Sequence, residues 1–151
     1  MSFGAMLLAL HTLGAMLWVG GMYFVLAILR PSMAFLEGPL RLELHKRVLD
    51  RFFFAIWLVM PTMLVSGIIL QYLFYGGIGA SPWPLQMMTV TGLVMSAIFV
   101  AIALFPWRDF LQALKDEKLT EAGIAVHQIR RLLIVNLVLG ALTTIVAMLD
   151  Y

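Results

Sequence analysis

The chain has 151 residues, 63% of them hydrophobic and 12% charged, with a net charge of +2 and a mean hydropathy of +1.01. Soluble domains carry about 25% charged residues, so this composition excludes an ordinary soluble fold, and the small net charge carries no nucleic-acid signal. Cysteine is absent, which removes disulfides, thiolate metal sites and haem attachment through C-x-x-C-H.

The charges are unevenly placed. No Asp, Glu, Lys or Arg occurs before Arg30, between Phe52 and Trp107, or between Leu132 and Leu149. A bilayer crossing takes about 20 apolar residues. The first and last blocks hold one helix each and the central block holds two. The expected fold is all-α: a polytopic membrane protein built as an antiparallel bundle of four transmembrane helices, with short charged cytoplasmic helices. The spans fall at about 3–29, 52–74, 85–105 and 129–149, in a single membrane domain over 1–151. The N-terminal run lacks a basic leader and an A-x-A-like site, so it reads as the first permanent span.

In chain order, the first span carries LLALHTLGAMLWVGGMYFVLAILRP from Leu7 to Pro31. Arg30-Pro31 is expected to end it. Gly38-Pro39 then starts a short surface helix whose apolar face is Leu40, Leu44, Val48 and Phe52. Pro61 should kink the second span, and Ser66, Gly67 and Gln71 give that span a polar, small-residue side. Residues 76–84 (GGIGASPWP) form a turn with Trp83 as an interface anchor. Pro106 closes the third span, and Trp107 marks the other interface. Residues 108–131 read as two helical pieces, the second capped by Thr120 with Glu121 in its first turn. Asn136, Gly140, Thr143 and Thr144 equip the fourth span for close packing.

All ten Lys and Arg lie between spans one and two or between spans three and four. The positive-inside rule puts loops 30–51 and 107–131 in the cytoplasm. Both termini are then periplasmic, in a bacterial inner membrane.

Orientation sets depth. At 1.5 Å per residue His11 lies about 12 Å below Phe3, in the outer half of the membrane. Gln86, Met87, Met88, Met6 and Met148 share that half. His45 falls in a run of surface charges and is expected to be solvated or to face headgroups. His127 shares a helix face with Arg131 and is expected to pair with a carboxylate or a headgroup. These two histidines could meet each other but not His11, which lies at the opposite leaflet. An ionisable residue inside a span is costly and needs a reason, so His11 is the main functional candidate, with a hydrogen bond across the bundle as its structural alternative. Trp18 reads as packing, and Gly20-Gly21 as a site of close helix approach. His11 with Met6, Met87 and Met88 would suit soft Cu(I), provided helices one and three adjoin. No serine, histidine and carboxylate share a span, and no glycine-rich phosphate loop occurs. The remaining roles are cofactor or metal binding, quinone or proton handling, and scaffold.

LHTLGAMLWVGGMYFVLAILRP resembles the first span of the copper-resistance protein D (CopD) family, with its leucine-histidine and downstream W-V-G-G. RFFFAIWLVMPTMLVSGIIL resembles that family's second span, and QIRRLLIVNLVLGALT its last. The HemJ-type protoporphyrinogen oxidases are similar four-span bundles, with a first-span histidine implicated with haem b. This resemblance implies that His11 is a haem b ligand in a redox or electron-transfer role, with Gln86, Met87 or Met88 near the other face. The lysine those oxidases carry early in span three is absent here, where the chain reads PLQMMTVTG. A second reading is Cu(I) transport or copper resistance through His11 and Met88 with the other outer methionines. A third is a non-catalytic small subunit of a membrane complex. The partners expected are the lipid bilayer, a redox partner or quinone, and a second copy or a larger complex.

Overall fold

The computed structural model describes residues 2–148. Helix accounts for nearly all of them, with no strand among the described residues. Helix α1 spans Phe3–Ser32, α2 Gly38–Tyr75, α3 Trp83–Leu104, α4 Pro106–Lys115 and α5 Leu119–Ala147. Four helices are long and apolar enough to cross a membrane: α1, α2, α3 with its continuation α4, and α5. This is the all-α four-span bundle that the charge pattern predicts.

Helix α1 packs along α2, and α3 along α5. Contacts of α2 with α3 and of α1 with α5 close the bundle, and α4 lies against α5. The first and third spans are therefore diagonal. They meet in the centre through Trp18 and Phe99, whose rings sit edge to face with centroids 6.5 Å apart. Phe99 also meets Phe53 at 5.6 Å and Trp57 at 5.3 Å, both edge to face. Each such pair adds about 0.5–1.5 kcal/mol beyond its buried area.

Lipid tails are as apolar as leucine, so packing and hydrogen bonds, not hydrophobicity, must hold membrane helices together. A Cβ on Gly21 would sit 2.6 Å from Phe52 Cε2 of α2, and one on Gly140 2.9 Å from Val19 Cγ2 of α1. Gly20 faces open space, so only Gly21 of the pair serves close approach. Asn136 Nδ2 donates to Met95 O at 3.2 Å, and Thr143 Oγ1 to Thr91 Oγ1 at 2.7 Å, tying α5 to α3. Thr144 stays within its own helix, donating to Gly140 O.

Several expected boundaries differ. Arg30-Pro31 does not end α1. The helix passes through a π-helical stretch, Phe24–Leu29, and closes only at Ser32. Proline's ring clashes with the carbonyl four residues back, and the wide turn ahead of Pro31 opens the helix there. The surface helix and second span are one continuous helix of 38 residues, which runs on through Pro61. Its buried stripe at the basic end is His45, Leu49 and Phe53, while Leu40 is 57% exposed. That face is one residue off the expected Leu40–Leu44–Val48–Phe52 set, because the continuous helix inherits its rotation from the packed span. The last helix also runs unbroken from Leu119. Lys118, not Thr120, is its N-cap, since a left-handed Glu117 (φ 56°) and a bond from Lys118 N to Ala113 O set the turn. Glu121 does stand in the first turn. Trp83 and Pro84 belong to the first turn of α3 and not to the loop. Leu149, at the expected end of span four, lies outside the described residues.

Candidate functional site: a histidine held between the first two spans

His11 is half-buried on the face of α1 that packs on α2. Its Nδ1 lies 3.0 Å from Ser66 Oγ. Ser66 Oγ lies 2.6 Å from Thr62 O, and a carbonyl can only accept. The single Ser66 hydroxyl hydrogen therefore goes to Thr62 O, and Ser66 Oγ accepts from His11 Nδ1–H. That assigns the tautomer with its hydrogen on Nδ1 and its lone pair on Nε2. A metal-binding histidine characteristically has its other ring nitrogen held this way by a polar group behind it.

Gly67 makes the arrangement sterically feasible. A Cβ there would lie 2.9 Å from His11 Cε1, so the ring rests directly on the α2 backbone. One turn along α1, Gly14 meets Met63: its Cβ would lie 2.7 Å from Met63 Sδ. Residues three apart on a helix share a face, so the Met63 thioether lies on the same side of α1 as His11, one turn along. An open, apolar groove of about 350 Å³ lined by Leu7, Leu10, Pro61, Thr62, Val65 and Ser66 runs beside the pair.

The other residues singled out by sequence lie elsewhere. Gln86 is near the start of α3 and donates from Nε2 to Ser81 O at 2.8 Å, tying down the 76–84 loop. Met6 on α1, Met87 on α3 and Met148 just past the end of α5 are 56%, 47% and 64% exposed, and Met88 is half-buried on α3. Helices one and three, which the outer methionine cluster needed as neighbours, are diagonal. Trp18 is core, 3% exposed. Asn136 is fully buried, with its Oδ1 unpartnered among the described residues. His127 and Arg131 are exposed. His45, expected to be solvated, is only 9% exposed, and its Nδ1–H donates to Arg41 O at 3.0 Å. Among the described residues no three His, Asp or Glu side chains converge.

Sequence reasoning missed Met63 and Gly14, and noted Ser66 and Gly67 without joining them to His11. A signal was available. Ser66 is nine residues from Tyr75, or about 14 Å at 1.5 Å per residue, which matches the depth of His11 on the antiparallel neighbour.

No curated protein and no solved structure matches the chain. A family profile described as copper resistance protein D, CopD, matches residues 46–149. The matched stretch holds three of the four spans, with Ser66, Gly67 and Asn136 inside it and His11 outside. It covers well over half of the chain, and with four membrane-length helices in place the protein belongs to the CopD, copper resistance protein D, family of multi-pass membrane proteins.

Proposed function

We propose that this protein handles Cu(I) as its cargo, taking the ion at His11 Nε2 with the Met63 thioether as the second donor. The observation that carries the reading is the Ser66 bond, which orients the ring and leaves Nε2 unprotonated. A neutral imidazole and a thioether suit monovalent copper, and the whole donor set adds no charge to the bilayer. The family's name supports copper over other metals. By the positive-inside rule the site opens towards the periplasm, with the basic end of the bundle cytoplasmic.

Haem b fits this end less well. His11 supplies one axial nitrogen, and α3 carries no second imidazole. The propionates would also lack a cation, because all ten Lys and Arg belong to the basic half of the bundle. No step of the reading depends on haem.

The test is Cu(I) titration of detergent-purified protein against a chromophoric chelator, with an absorption spectrum taken on the same samples. Wild type should hold one Cu(I) per chain. His11→Ala should lose it, and Met63→Leu should weaken it by at least about tenfold, as expected for loss of one soft ligand. Copper retention unchanged in His11→Ala overturns the proposal. So does a Soret band in wild type that vanishes in that variant.

A further inference from the structure

At the opposite end of the bundle, a cavity of about 580 Å³ opens between the end of α1 and the starts of α2 and α5. Its wall carries Arg30, Arg41 and Arg130 together with His45 and His127. No carboxylate lines it. Among the described residues the ion pairs are Arg47–Glu43 and Lys118–Glu121, so none of these three arginines is in an ion pair. Like charges gathered without a counter-charge repel, weakly where solvent screens them as at exposed Arg30 and Arg41, and an anion joining them removes that repulsion.

Three further features point the same way. The first turns of two long helices border the cavity, at Gly38 of α2 and at Leu119 and Thr120 of α5. Neither helix has a side-chain hydrogen bond at its N-cap. A helix start carries about half a positive charge and favours anions, although Pro39 has no N–H and the Leu119 N–H is already bonded to Glu117 O. The π-helical stretch Phe24–Leu29, whose wide turn ends with Arg30 N–H bonded to Val25 O, sets the direction in which Arg30 leaves α1. Such π-turns frequently mark functional sites. Gly38 and Gly123 line the cavity with nothing within 4 Å of where a Cβ would be, so they leave room in place of packing.

We infer that this arginine-lined cavity binds a phosphate-bearing anion, with the guanidinium groups of Arg30, Arg41 and Arg130 holding the phosphate oxygens. Guanidinium groups take phosphate oxygens in a bidentate fork. The floor is apolar, formed by Val25, Leu49, Ile129 and Leu133, and accepts hydrocarbon attached to the phosphate. An anionic phospholipid headgroup and a soluble phosphate compound share this chemistry. This site is separate from the copper proposal, and each stands or falls alone.

The experiment measures retention of phosphatidylglycerol against phosphatidylcholine by native mass spectrometry, and binding of pyrophosphate by calorimetry in neutral detergent. The variants are Arg41→Gln with Arg130→Gln, the same pair changed to Lys, and Gly123→Leu, which fills the cavity and leaves its charge. Arg108→Gln, exposed and outside the wall, is the control. Each arginine removed should weaken the anion by about tenfold, with lysine intermediate because it loses the fork but keeps the charge. Gly123→Leu should weaken it with all arginines present. Selective retention of phosphatidylglycerol that follows this pattern identifies a headgroup as the source. Pyrophosphate binding that follows it identifies a soluble phosphate. Equal retention of the two lipids with no pyrophosphate binding overturns the inference from wild type alone, even if the double variant fails to fold. Binding that Arg108→Gln reduces as much as the double variant also overturns it.

Discussion

The bundle places imidazoles at both ends, in opposite surroundings. At the uncharged end His11 lies against Ser66 and Gly67, in a span with no charged residue before Arg30. At the basic end His45 and His127 share a cavity wall with three arginines. His11 and His45 are held alike, each donating Nδ1–H to an oxygen of the protein and keeping Nε2 free. What differs is the field around that nitrogen. Arginines would repel Cu(I) from His45, and an anion at His11 would meet no cation. The Nε2 lone pair thus suits a soft cation at the uncharged end, while at the basic end the anion would be held by the arginines and not by His45.

The largest effect expected on this contrast comes from the group behind His11. Ser66→Ala removes the acceptor of Nδ1–H while leaving the ring and Gly67 in place. Loss of such a supporting partner costs about 10–100-fold in metal affinity. Chelator competition should show that loss for Cu(I), with pyrophosphate or phosphatidylglycerol binding at the basic end unchanged. Equal loss at both ends would mean the substitution acts through global unfolding, and the contrast would lose its support.

Much of this architecture can be read from the sequence, because bilayer thickness and charge placement constrain helix number so strongly. Three charge-free blocks sufficed for four spans, and Pro106 marked a true break between α3 and α4. Boundaries at the basic end were less readable. Residues 38–51 are charged enough to suggest a separate surface helix, yet they continue α2 because Leu49 and Phe53 stay on the buried stripe. Which helices adjoin was not fixed by the sequence: matching depths allow Ser66 to meet His11, but they equally allow Met87 and Met88 to do so. That one missing relation led to the grouping of His11 with Met87 and Met88, where the structure sets it beside Ser66, Gly67 and the Met63 register. His45 was misjudged for a related reason. Its neighbours in sequence are charged, but its neighbours in space are the ends of two other helices.

The middle of the bundle tests whether the two ends are independent. Gly140 lies where α5 meets α1 and α3, and a Cβ would come within 2.9 Å of Val19 Cγ2 and 3.1 Å of Met95 Cε. The methionine tip can swing aside, but the branched Val19 side chain is less free. Gly140→Leu should therefore destabilise the protein by about 1–3 kcal/mol, as overpacking does. Unfolding in detergent followed by circular dichroism measures this. Ligand affinities at both ends should stay within about twofold at temperatures where the variant is folded, because distant, unshared sites act additively. A change at one end alone would reveal mechanical coupling through α5.

The smallest expected effect falls on Asn136. It is fully buried, donates to Met95 O at 3.2 Å and has no partner for Oδ1 among the described residues. An interhelical hydrogen bond in a membrane contributes about 0.6 kcal/mol on average, while an unpaired buried acceptor costs about 1–3 kcal/mol. Leucine has nearly the same shape and removes both the bond and the unpaired oxygen. The two terms oppose, so Asn136→Leu should shift stability by no more than about 1 kcal/mol in either direction. The same unfolding assay reads it. A loss of several kcal/mol would instead show that Oδ1 meets a donor in the working protein. Repeating the measurement with and without Cu(I) then decides whether that donor arrives with the ion: a stability loss confined to the copper-loaded state would draw Asn136 into the site at the uncharged end, and a loss in both states would make it a fixed part of the bundle.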